Sequence, residues 1–346
     1  MAESATTPRR TLERALIRLW FDPDPGPAAR LAVGLLAPLE LLTAALARRQ
    51  RARIEALRAP PVPLVVVGNL VVGGAGKTPL AGALARALAG RGRHPGLLVR
   101  GHGRQAGAVT MVAADTTAEI AGDEALVLAR RTGLPVAVGA DRGQALALLL
   151  ARHPEVDVVV SDDGLQHDRL ARSLEIALFD RRGLGNGHLL PAGPLREPAE
   201  HLARMDALVL TDGAKAPRAH PLIFRSDIRA LGFSRVDGSR SLVQPAQFAG
   251  LAEPGDTITA VAGIANPSRF FALLAANGIE AETLELGDHE ALDEQRLGWI
   301  KSGLIVMTEK DAVKCRSFAD HRCWFLEIEA IPEPALIDWL EEVIDG

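Results

Sequence analysis

The hydrophobic pattern between residues 63 and 212 alternates short apolar runs with longer amphipathic stretches. The runs at 65–67 and 158–160 are short and β-branched, which is typical of buried strands, whereas the alanine- and leucine-rich stretches have the spacing of helices. Strands that alternate with helices predict a mostly parallel sheet flanked by helices, and therefore an α/β fold.

A break follows at residues 213–221, where proline, glycine and polar residues predict a linker. Beyond it, strand-like runs near 257–265 and 303–308 and a final amphipathic helix from Pro334 indicate a second, smaller α/β unit. We therefore predict two domains, residues 1–215 and 216–346. The final helix can pack on either of them.

The N-terminal domain begins with a predicted amphipathic helix over residues 28–57. Its leucines recur at spacings of three and four and form one stripe, made of Leu31, Leu35, Leu39, Leu42 and Leu46. Pro38 and Glu40 interrupt the apolar part, which is shorter than the roughly 20 residues of a membrane span. Five arginines follow between residues 48 and 58. Packing on its own domain and lying on an anionic membrane surface are both consistent with this pattern, and the residues alone favour packing.

The amino-acid composition disfavours several classes of function. The net charge of -4, the absence of tyrosine and the 4% aromatic content give no reason to expect a nucleic-acid partner. Cys315 and Cys323 are the only cysteines, and no zinc-like spacing surrounds them, so a disulfide scaffold and a cysteine-rich metal site are disfavoured. A reducing cytosolic environment is the simplest interpretation.

A glycine-rich segment separates the predicted strand at 63–69 from the following helix, and it consists of Gly73, Gly74, Ala75, Gly76, Lys77 and Thr78. Glycines let backbone N–H groups converge on phosphate oxygens at a helix N-terminus. Lys77 can reach the β- and γ-phosphates of a nucleotide, and the Thr78 hydroxyl can bind Mg²⁺. The generic pattern has glycine at the position of Val71, but strand, loop and helix follow in the required order. The segment therefore predicts a nucleotide-binding P-loop.

A second buried strand ends in Asp162, Asp163 and Gly164. Ligands of open parallel sheets bind beyond the carboxyl ends of the strands, and Mg²⁺ takes few protein ligands because it keeps water and phosphate. Asp-Asp-Gly is also a common turn after a strand. In combination with the P-loop, however, it predicts a Walker-B-type magnesium site.

Two further charged pairs are candidates for chemistry. Asp123 and Glu124 open a predicted helix, where their charge complements the helix dipole. That explanation is preferred in isolation, and the alternative is that Asp123 accepts the proton of an attacking hydroxyl. Arg196 and Glu197 lie in a loop rich in proline and glycine. The pair either forms a surface salt bridge or belongs to the site.

Taken together, the motifs resemble those of the tetraacyldisaccharide 4'-kinase family, the lipid A 4'-kinases. The chain carries them in the family's order along nearly its whole length, at residues 67–70, 73–79, 100–101, 122–124, 162–167, 190–197, 263–267, 269–271 and 308–314. Each motif is modest alone, but their joint order is specific. The family also has a residue other than glycine at the position of Val71.

The resemblance implies a P-loop NTPase-like fold and a kinase reaction. ATP, with Mg²⁺, would donate its γ-phosphate to the 4'-hydroxyl of a tetraacylated glucosamine disaccharide 1-phosphate, which forms lipid IV-A. The resemblance also implies a peripheral enzyme on the cytoplasmic face of a Gram-negative inner membrane, with the lipid substrate and the membrane surface as partners and no protein partner. It therefore favours the membrane interpretation of the helix at 28–57.

The resemblance also implies roles for individual residues. Lys77 and Thr78 would bind phosphates and Mg²⁺. The metal site would include Asp162, Asp163, Gln166 and Glu124. Catalysis would use Asp123 as the base, His289 as its assistant, and Arg196 with Glu197 near the substrate. The residues before Asp288 and His289 depart from the family's usual Phe-Pro, and an exposed helix-capping pair is the alternative there.

Two rival functions fit parts of the pattern. A P-loop GTPase or metallochaperone would share the phosphate loop, but such proteins usually carry Asn-Lys-x-Asp for guanine. Here Lys310 directly precedes Asp311, so the spacing differs. A non-catalytic membrane adaptor would use the helix at 28–57, but it would have no need of a P-loop with two facing aspartates.

Overall fold

Helices form the N-terminal segment of the structure, a computed structural model that describes residues 8–104, 107–240, 242–253, 255–287, 292–301 and 303–346. These helices are α1 (Pro8–Phe21), α2 (Pro27–Leu36) and α3 (Glu40–Glu55). A 3-10 turn at Ala37–Leu39 joins α2 to α3, where Pro38 cannot donate to the helical ladder. The predicted helix at 28–57 is therefore two α-helices that run on from each other.

The leucine stripe of α2 and α3 faces away from the protein. Its five leucines, Leu31, Leu35, Leu39, Leu42 and Leu46, are 51–73% exposed, so packing of this stripe on its own domain is not observed. The opposite face of α3 does pack, through buried Ala44 and Ala47 and an ion pair of Arg51 with Glu175. Within the described residues, one helical segment, Pro27–Glu55, is long enough and apolar enough to cross a membrane when only length and composition are considered. The expectation of a segment too short for that was wrong.

The first domain follows the predicted alternation of strands and helices. Its elements are β1 (Leu64–Gly68), α4 (Lys77–Gly90), β2 (Pro95–Val99), β3 (Thr110–Met111), α5 (Ala118–Ala121), α6 (Asp123–Thr132), β4 (Val136–Val138), α7 (Arg142–Arg152), β5 (Val158–Asp162), β6 (Leu174–Phe179), a 3-10 turn (Ala199–Arg204) and β7 (Ala207–Leu210).

The names first and second domain are kept for the two predicted segments. The segment predicted as the second domain, residues 216–346, contains the remaining helices and strands. Its elements are β8 (Ile223–Arg235), α8 (Pro245–Phe248), a 3-10 turn (Ala249–Leu251), β9 (Ile258–Ala262), α9 (Pro267–Ala276), β10 (Glu282–Glu285), α10 (Glu294–Trp299), β11 (Leu304–Thr308), α11 (Glu309–Cys315), β12 (Cys323–Pro332) and α12 (Pro334–Asp345).

One continuous sheet joins the two domains. In the described part of the chain its twelve strands lie in the order β10-β9-β11-β12-β8-β7-β6-β1-β5-β2-β4-β3. Neighbours are parallel except for β8 with β12 and the edge pair β3 with β4. The long strand β8 pairs with β7 through Ile223–Arg225 and with β12 through the rest of its length. The predicted mostly parallel α/β sheet is confirmed.

Side-chain alternation along β1 divides the core of the first domain into two layers. Successive side chains of a strand point to opposite faces, so Val65 and Val67 pack in one apolar cluster with α4, while Leu64 and Val66 pack in the other. All four are fully buried. β1 is therefore a central strand packed on both faces, and this packing holds the first residues of the loop that follows it.

The last helix returns to the first domain. Leu336, Ile337 and Leu340 of α12 are buried in the same apolar cluster as α4, and the Trp339 ring lies 5.5 Å from the ring of Phe224. α12 therefore packs against the helix that follows the glycine-rich loop.

Candidate active site

The loop between β1 and α4 has the geometry of a phosphate cradle. Gly73 and Gly76 have φ angles of 100° and 99°, which side chains with a Cβ rarely adopt. The first α4 ladder bond runs from the Leu80 N–H to the Gly76 carbonyl, so the N–H groups of Lys77 and Thr78 have no intrahelical partner. Converging donors and a helix N-terminus together favour an anion.

Strand register brings the acidic pair to this cradle. β1 and β5 are parallel neighbours, and Val67 pairs with Asp162. As a result, the Thr78 hydroxyl donates to Asp162 Oδ2 at 2.7 Å, and Lys77 Nζ lies 3.4 Å from Asp163 Oδ1. The structure therefore brings together four of the residues that were assigned to phosphate and metal binding, Lys77, Thr78, Asp162 and Asp163.

Asp162 is buried and only partly hydrogen-bonded. Its Oδ1 atom is buried without a hydrogen-bond partner, while Oδ2 accepts the bond from Thr78. Burial, followed by the nearby charge of Glu124, raises the pKa of Asp162 to about 7. A buried oxygen without a partner, next to a hydroxyl at a phosphate cradle, is a suitable ligand position for a small cation.

Asp163 has the opposite electrostatic environment. It has a left-handed φ of 49°, an uncommon conformation for a non-glycine residue. Burial alone would raise its pKa, but the charges of Lys77 and Arg196 outweigh burial and lower it. Arg196 Nη1 lies 3.2 Å from Asp163 Oδ1. The pKa values of two adjacent carboxyl groups are thus shifted in opposite directions.

A hydrogen-bonded chain extends from Arg196 into the protein. Arg196 donates to Gln166 Oε1 at 3.0 Å, Gln166 donates to Glu197 Oε1 at 2.7 Å, and His201 Nδ1 lies 3.0 Å from Glu197 Oε2. Glu197 and His201 are buried. Arg196 and Glu197 are therefore linked through Gln166, and neither forms the simple surface salt bridge that was one of the two alternatives.

Asp123 and Glu124 begin α6, as the sequence predicted, and both are paired with lysines of the second domain. Lys314 Nζ lies 3.3 Å from Asp123 Oδ2, and Lys310 Nζ lies 2.6 Å from Glu124 Oε1. Asp123 is buried. The helix dipole alone does not explain this arrangement, because α11 contributes two cations to the same pair of acids.

A close helix contact places Asp123 beside the P-loop helix. A Cβ at Gly82 of α4 would lie 3.0 Å from Leu128 Cδ2 of α6. An alanine at this position would require the end of the Leu128 side chain to move by a few tenths of an ångström, so α4 and α6 are closely packed here.

One cleft of about 780 Å³ lies between the two domains and contains most of these groups. The P-loop, the acidic pair and Gln166 form one side, and Asp123 and Glu124 form another. The second domain contributes loop residues after β9 and residues 308–310 after β11. The carboxyl ends of strands from both domains therefore face a common space, which is where ligands of parallel sheets bind.

Sequence reasoning missed a buried arginine at this site. Arg142, at the start of α7, donates to the carbonyl oxygens of Gly139 at 2.8 Å and Asp162 at 3.0 Å. Burial lowers its pKa to about 10. Arg142 thus fixes the end of β5, and the only sequence signal was its position directly after a helix-capping aspartate, Asp141.

The proposed partner of the base lies outside the described residues. His289 and its neighbour Asp288 belong to the segment 288–291, so the role that the resemblance implies for His289 stays a prediction.

The fold and this site define a P-loop protein of the kinase class. The sequence matches the LpxK family, described as tetraacyldisaccharide-1-P 4'-kinase, over residues 32–345, and the chain belongs to this family.

Relatives with assigned names agree with that placement. A tetraacyldisaccharide 4'-kinase of Dechloromonas aromatica (strain RCB) is 44% identical over 337 residues, which is 97% of this chain and 98% of the relative. One of Alkalilimnicola ehrlichii is 50% identical over 284 residues, 81% of this chain and 82% of the relative. The solved "apo" form LpxK from Aquifex aeolicus in complex with ATP superposes with a TM-score of 0.73 at 24% identity, covering 90% of this chain and 99% of that one.

Proposed function

We propose that this protein transfers the γ-phosphate of ATP to the 4'-hydroxyl of a tetraacylated glucosamine disaccharide 1-phosphate and so forms lipid IV-A. The observation that carries the proposal is the joined set of Lys77, Thr78, Asp162 and Asp163 beside a glycine cradle, in the same cleft as Asp123. Family membership supplies the acceptor, because the matching family is described by that substrate.

Phosphate binding is the first task of the site. Phosphoryl transfer depends mainly on positioning and on neutralising the charge of the transferring group. The N–H groups of the P-loop would hold the phosphate oxygens, and Lys77 would exchange its contact with Asp163 for a phosphate oxygen. Arg196 keeps Asp163 oriented during this exchange, because it contacts the same carboxylate.

The residues at the end of β5 fit a magnesium ion. Thr78 and Asp162 would hold it, since the unpartnered Oδ1 of Asp162 supplies a suitable oxygen. Among the described residues, no group of three or more His, Cys, Asp or Glu side chains is arranged to hold a metal, which suits an ion that keeps water and phosphate ligands. When bound, Mg²⁺ would neutralise charge on the β- and γ-phosphates. Glu124 Oε1 accepts a hydrogen bond from Lys310, so a metal contact would fall to its other carboxylate oxygen or would replace the lysine.

Proton removal is the second task. A sugar hydroxyl is a weak nucleophile at neutral pH, and a positioned base typically contributes about 10²–10⁴-fold. Asp123 would accept the proton as the phosphate is transferred. Its contact with Lys314 orients the carboxylate before the reaction.

Access to a lipid is the third requirement. The exposed leucine stripe of α2 and α3 would lie in the interface of the cytoplasmic leaflet of the inner membrane, with exposed Arg48 and Arg49 against anionic headgroups. An apolar stripe next to a basic cluster is the pattern of a peripheral helix. We therefore place the enzyme on the membrane surface, with the cleft within reach of the disaccharide.

In the decisive assay, the protein is incubated with ATP, Mg²⁺ and the dephospho-disaccharide lipid, and the mass of the lipid is measured by mass spectrometry. We expect a gain of one phosphate, which Lys77→Ala abolishes and Lys215→Ala, at an exposed lysine, leaves unchanged. Nucleotide turnover selective for GTP, with no change in lipid mass, would instead favour a nucleotide switch.

Membrane association is tested separately by sedimentation with anionic phospholipid vesicles. Leu35→Glu and Leu42→Glu should release the protein from the vesicles without unfolding it, because both side chains are exposed. Trp299→Glu removes an equally exposed apolar side chain from α10 and serves as the control. Unchanged binding by both leucine variants would show that the stripe has another use.

A further inference from the structure

The second domain contributes an arginine to the rim of the phosphate cradle. Arg269 lies in the first turn of α9, and the loop before α9 faces the P-loop, where a Cβ at Gly74 would lie 3.9 Å from Ala265 Cβ. Arg269, Ala265 and Gly76 line the cleft between the domains. An arginine that lies nearly 200 residues beyond the P-loop in the sequence therefore reaches the phosphate loop through tertiary packing.

Its guanidinium group touches the P-loop backbone. Arg269 Nη1 lies 3.0 Å from the position that a Cβ would occupy on Gly76. Gly76 directly precedes Lys77, so this is the part of the loop where N–H groups turn toward the bound anion. The side chain is thus beside the place where a phosphate would lie.

Carboxylate contacts hold the guanidinium in that position. Arg269 Nε lies 2.8 Å from Asp212 Oδ2, and Nη2 donates to Asp212 Oδ1 at 3.0 Å and to Thr211 Oγ1 at 3.1 Å. Asp212 lies two residues after the end of β7 and has a left-handed φ of 56°. Within the described residues, Nη1 makes no hydrogen bond to the protein, so one edge of the guanidinium keeps donors available on the side of the cleft.

A second arginine near the loop has a different set of contacts. Arg182 Nη1 lies 3.0 Å from a Cβ position on Gly73. Its Nη2 donates to the Gly74 carbonyl, and Nε and Nη2 donate to Asp180. Its guanidinium also lies 5.0 Å from the Phe21 ring. Arg182 does not line the cleft, whereas Arg269 does, so Arg182 supports the loop from within the first domain and Arg269 is the arginine that faces the ligand space.

We propose that Arg269 binds the phosphate groups of the nucleotide directly, with Asp212 and Thr211 as the residues that position it. A guanidinium group matches phosphate oxygens in geometry and keeps its charge at any physiological pH. The phosphate site is then complete only when both domains contribute to it. This inference rests on the proposed function in that the ligand is taken to be a nucleoside triphosphate.

The test is a nucleotide-binding titration, which needs no lipid. Labelled ATP is bound to the full chain with Mg²⁺ and is then displaced by inorganic tripolyphosphate or by adenosine. Because a hydrogen bond to a charged group is lost, we expect Arg269→Ala to weaken ATP and tripolyphosphate binding by about 10–100-fold and to leave adenosine competition unchanged. Arg269→Lys should recover part of the loss, since it restores the charge but not the fork.

Control variants separate this role from general destabilisation. Arg322 makes a similar forked contact with Asp320 in the second domain and does not line the cleft, so Arg322→Ala should bind ATP like the parent protein. Asp212→Asn should weaken tripolyphosphate binding less than Arg269→Ala does. Equal tripolyphosphate affinity of Arg269→Ala and the parent, at an unchanged melting temperature, would overturn the proposal. Failure of lipid phosphorylation by the parent protein, with these binding differences intact, would instead count against the proposed acceptor.

Discussion

Replacing Asp162 by asparagine should stabilise the metal-free protein at neutral and alkaline pH while it abolishes phosphate transfer. The carboxylate is buried, and one of its oxygens has no hydrogen-bond partner. Burial and the charge of Glu124 raise its pKa to about 7. Asparagine has nearly the same shape and can still accept the Thr78 hydrogen bond, but it carries no charge.

The sign and size follow from linkage between protonation and folding. A carboxyl group whose pKa is higher in the folded than in the unfolded state destabilises the fold as pH rises from its ordinary value, 3.8, through about 7. At about 1.4 kcal/mol per pH unit, the upper bound is about 4 kcal/mol. Relaxation and water penetration lower such values, so we expect a difference of about 1–3 kcal/mol.

The assay is denaturant unfolding of both proteins in the presence of a chelator and without nucleotide, at intervals from pH 4.5 to pH 8. The stability difference should widen up to about pH 7 and stay constant above it. Asp163→Asn is the matched control, because Lys77 and Arg196 lower the pKa of Asp163 in spite of its burial. That variant should be less stable than the parent at pH 6–8, and the gap should close only as pH falls through the lowered pKa of Asp163.

Two outcomes would refute this reasoning. If the parent were more stable than Asp162→Asn at pH 8, the buried carboxylate would not destabilise the folded protein. If the difference were the same at pH 4.5 and pH 7.5, its origin would lie in packing and not in ionisation.

Three further outcomes follow from the geometry. Lys314→Met should lower kcat by about 10–100-fold with little change in ATP affinity, because it leaves Asp123 without its orienting cation. Lys314→Arg should recover part of the rate. An unchanged kcat of Lys314→Met would show that Lys314 does not orient Asp123. Gly76→Ala should weaken nucleotide binding in a titration, because a φ of 99° costs alanine about 1–2 kcal/mol and the new methyl meets Arg269. Leu340→Ala should reduce the free energy of unfolding by about 2–5 kcal/mol, and a loss below 1 kcal/mol would contradict the packing of α12 on the first domain.

Local chemistry explains how much of the phosphate site the sequence could predict. The P-loop, its strand and its helix are contiguous, and Lys77 and Thr78 have fixed places in that pattern. Asp162 is distant in sequence, but the rule that strand ends of a parallel sheet converge was enough to bring it near Thr78, and the 2.7 Å contact agrees. The magnesium and catalytic roles of these residues remain proposals.

The contributions of the second domain could not be read from the sequence. The contacts of Lys314 with Asp123 and of Arg269 with Asp212 each join residues more than 50 positions apart, and no periodicity encodes such pairings. Exposure of the leucine stripe was equally hidden, because an apolar stripe fits a buried face and a free face alike. The family resemblance marked the motifs at 269–271 and 308–314, but it gave them no task.

The return of α12 to the first domain has a consequence for biosynthesis. Because Leu336, Ile337 and Leu340 complete the apolar layer around α4, that layer stays open to water until α12 (Pro334–Asp345) has been synthesised, long after α4 (Lys77–Gly90). The leucine-bearing helices precede α4 and are synthesised before it. During this interval a nascent chain would expose two apolar surfaces, the leucine stripe and the uncovered layer around α4. Early contact of the N-terminal helices with lipid would cover the first, so that chaperones would have to shield only the second.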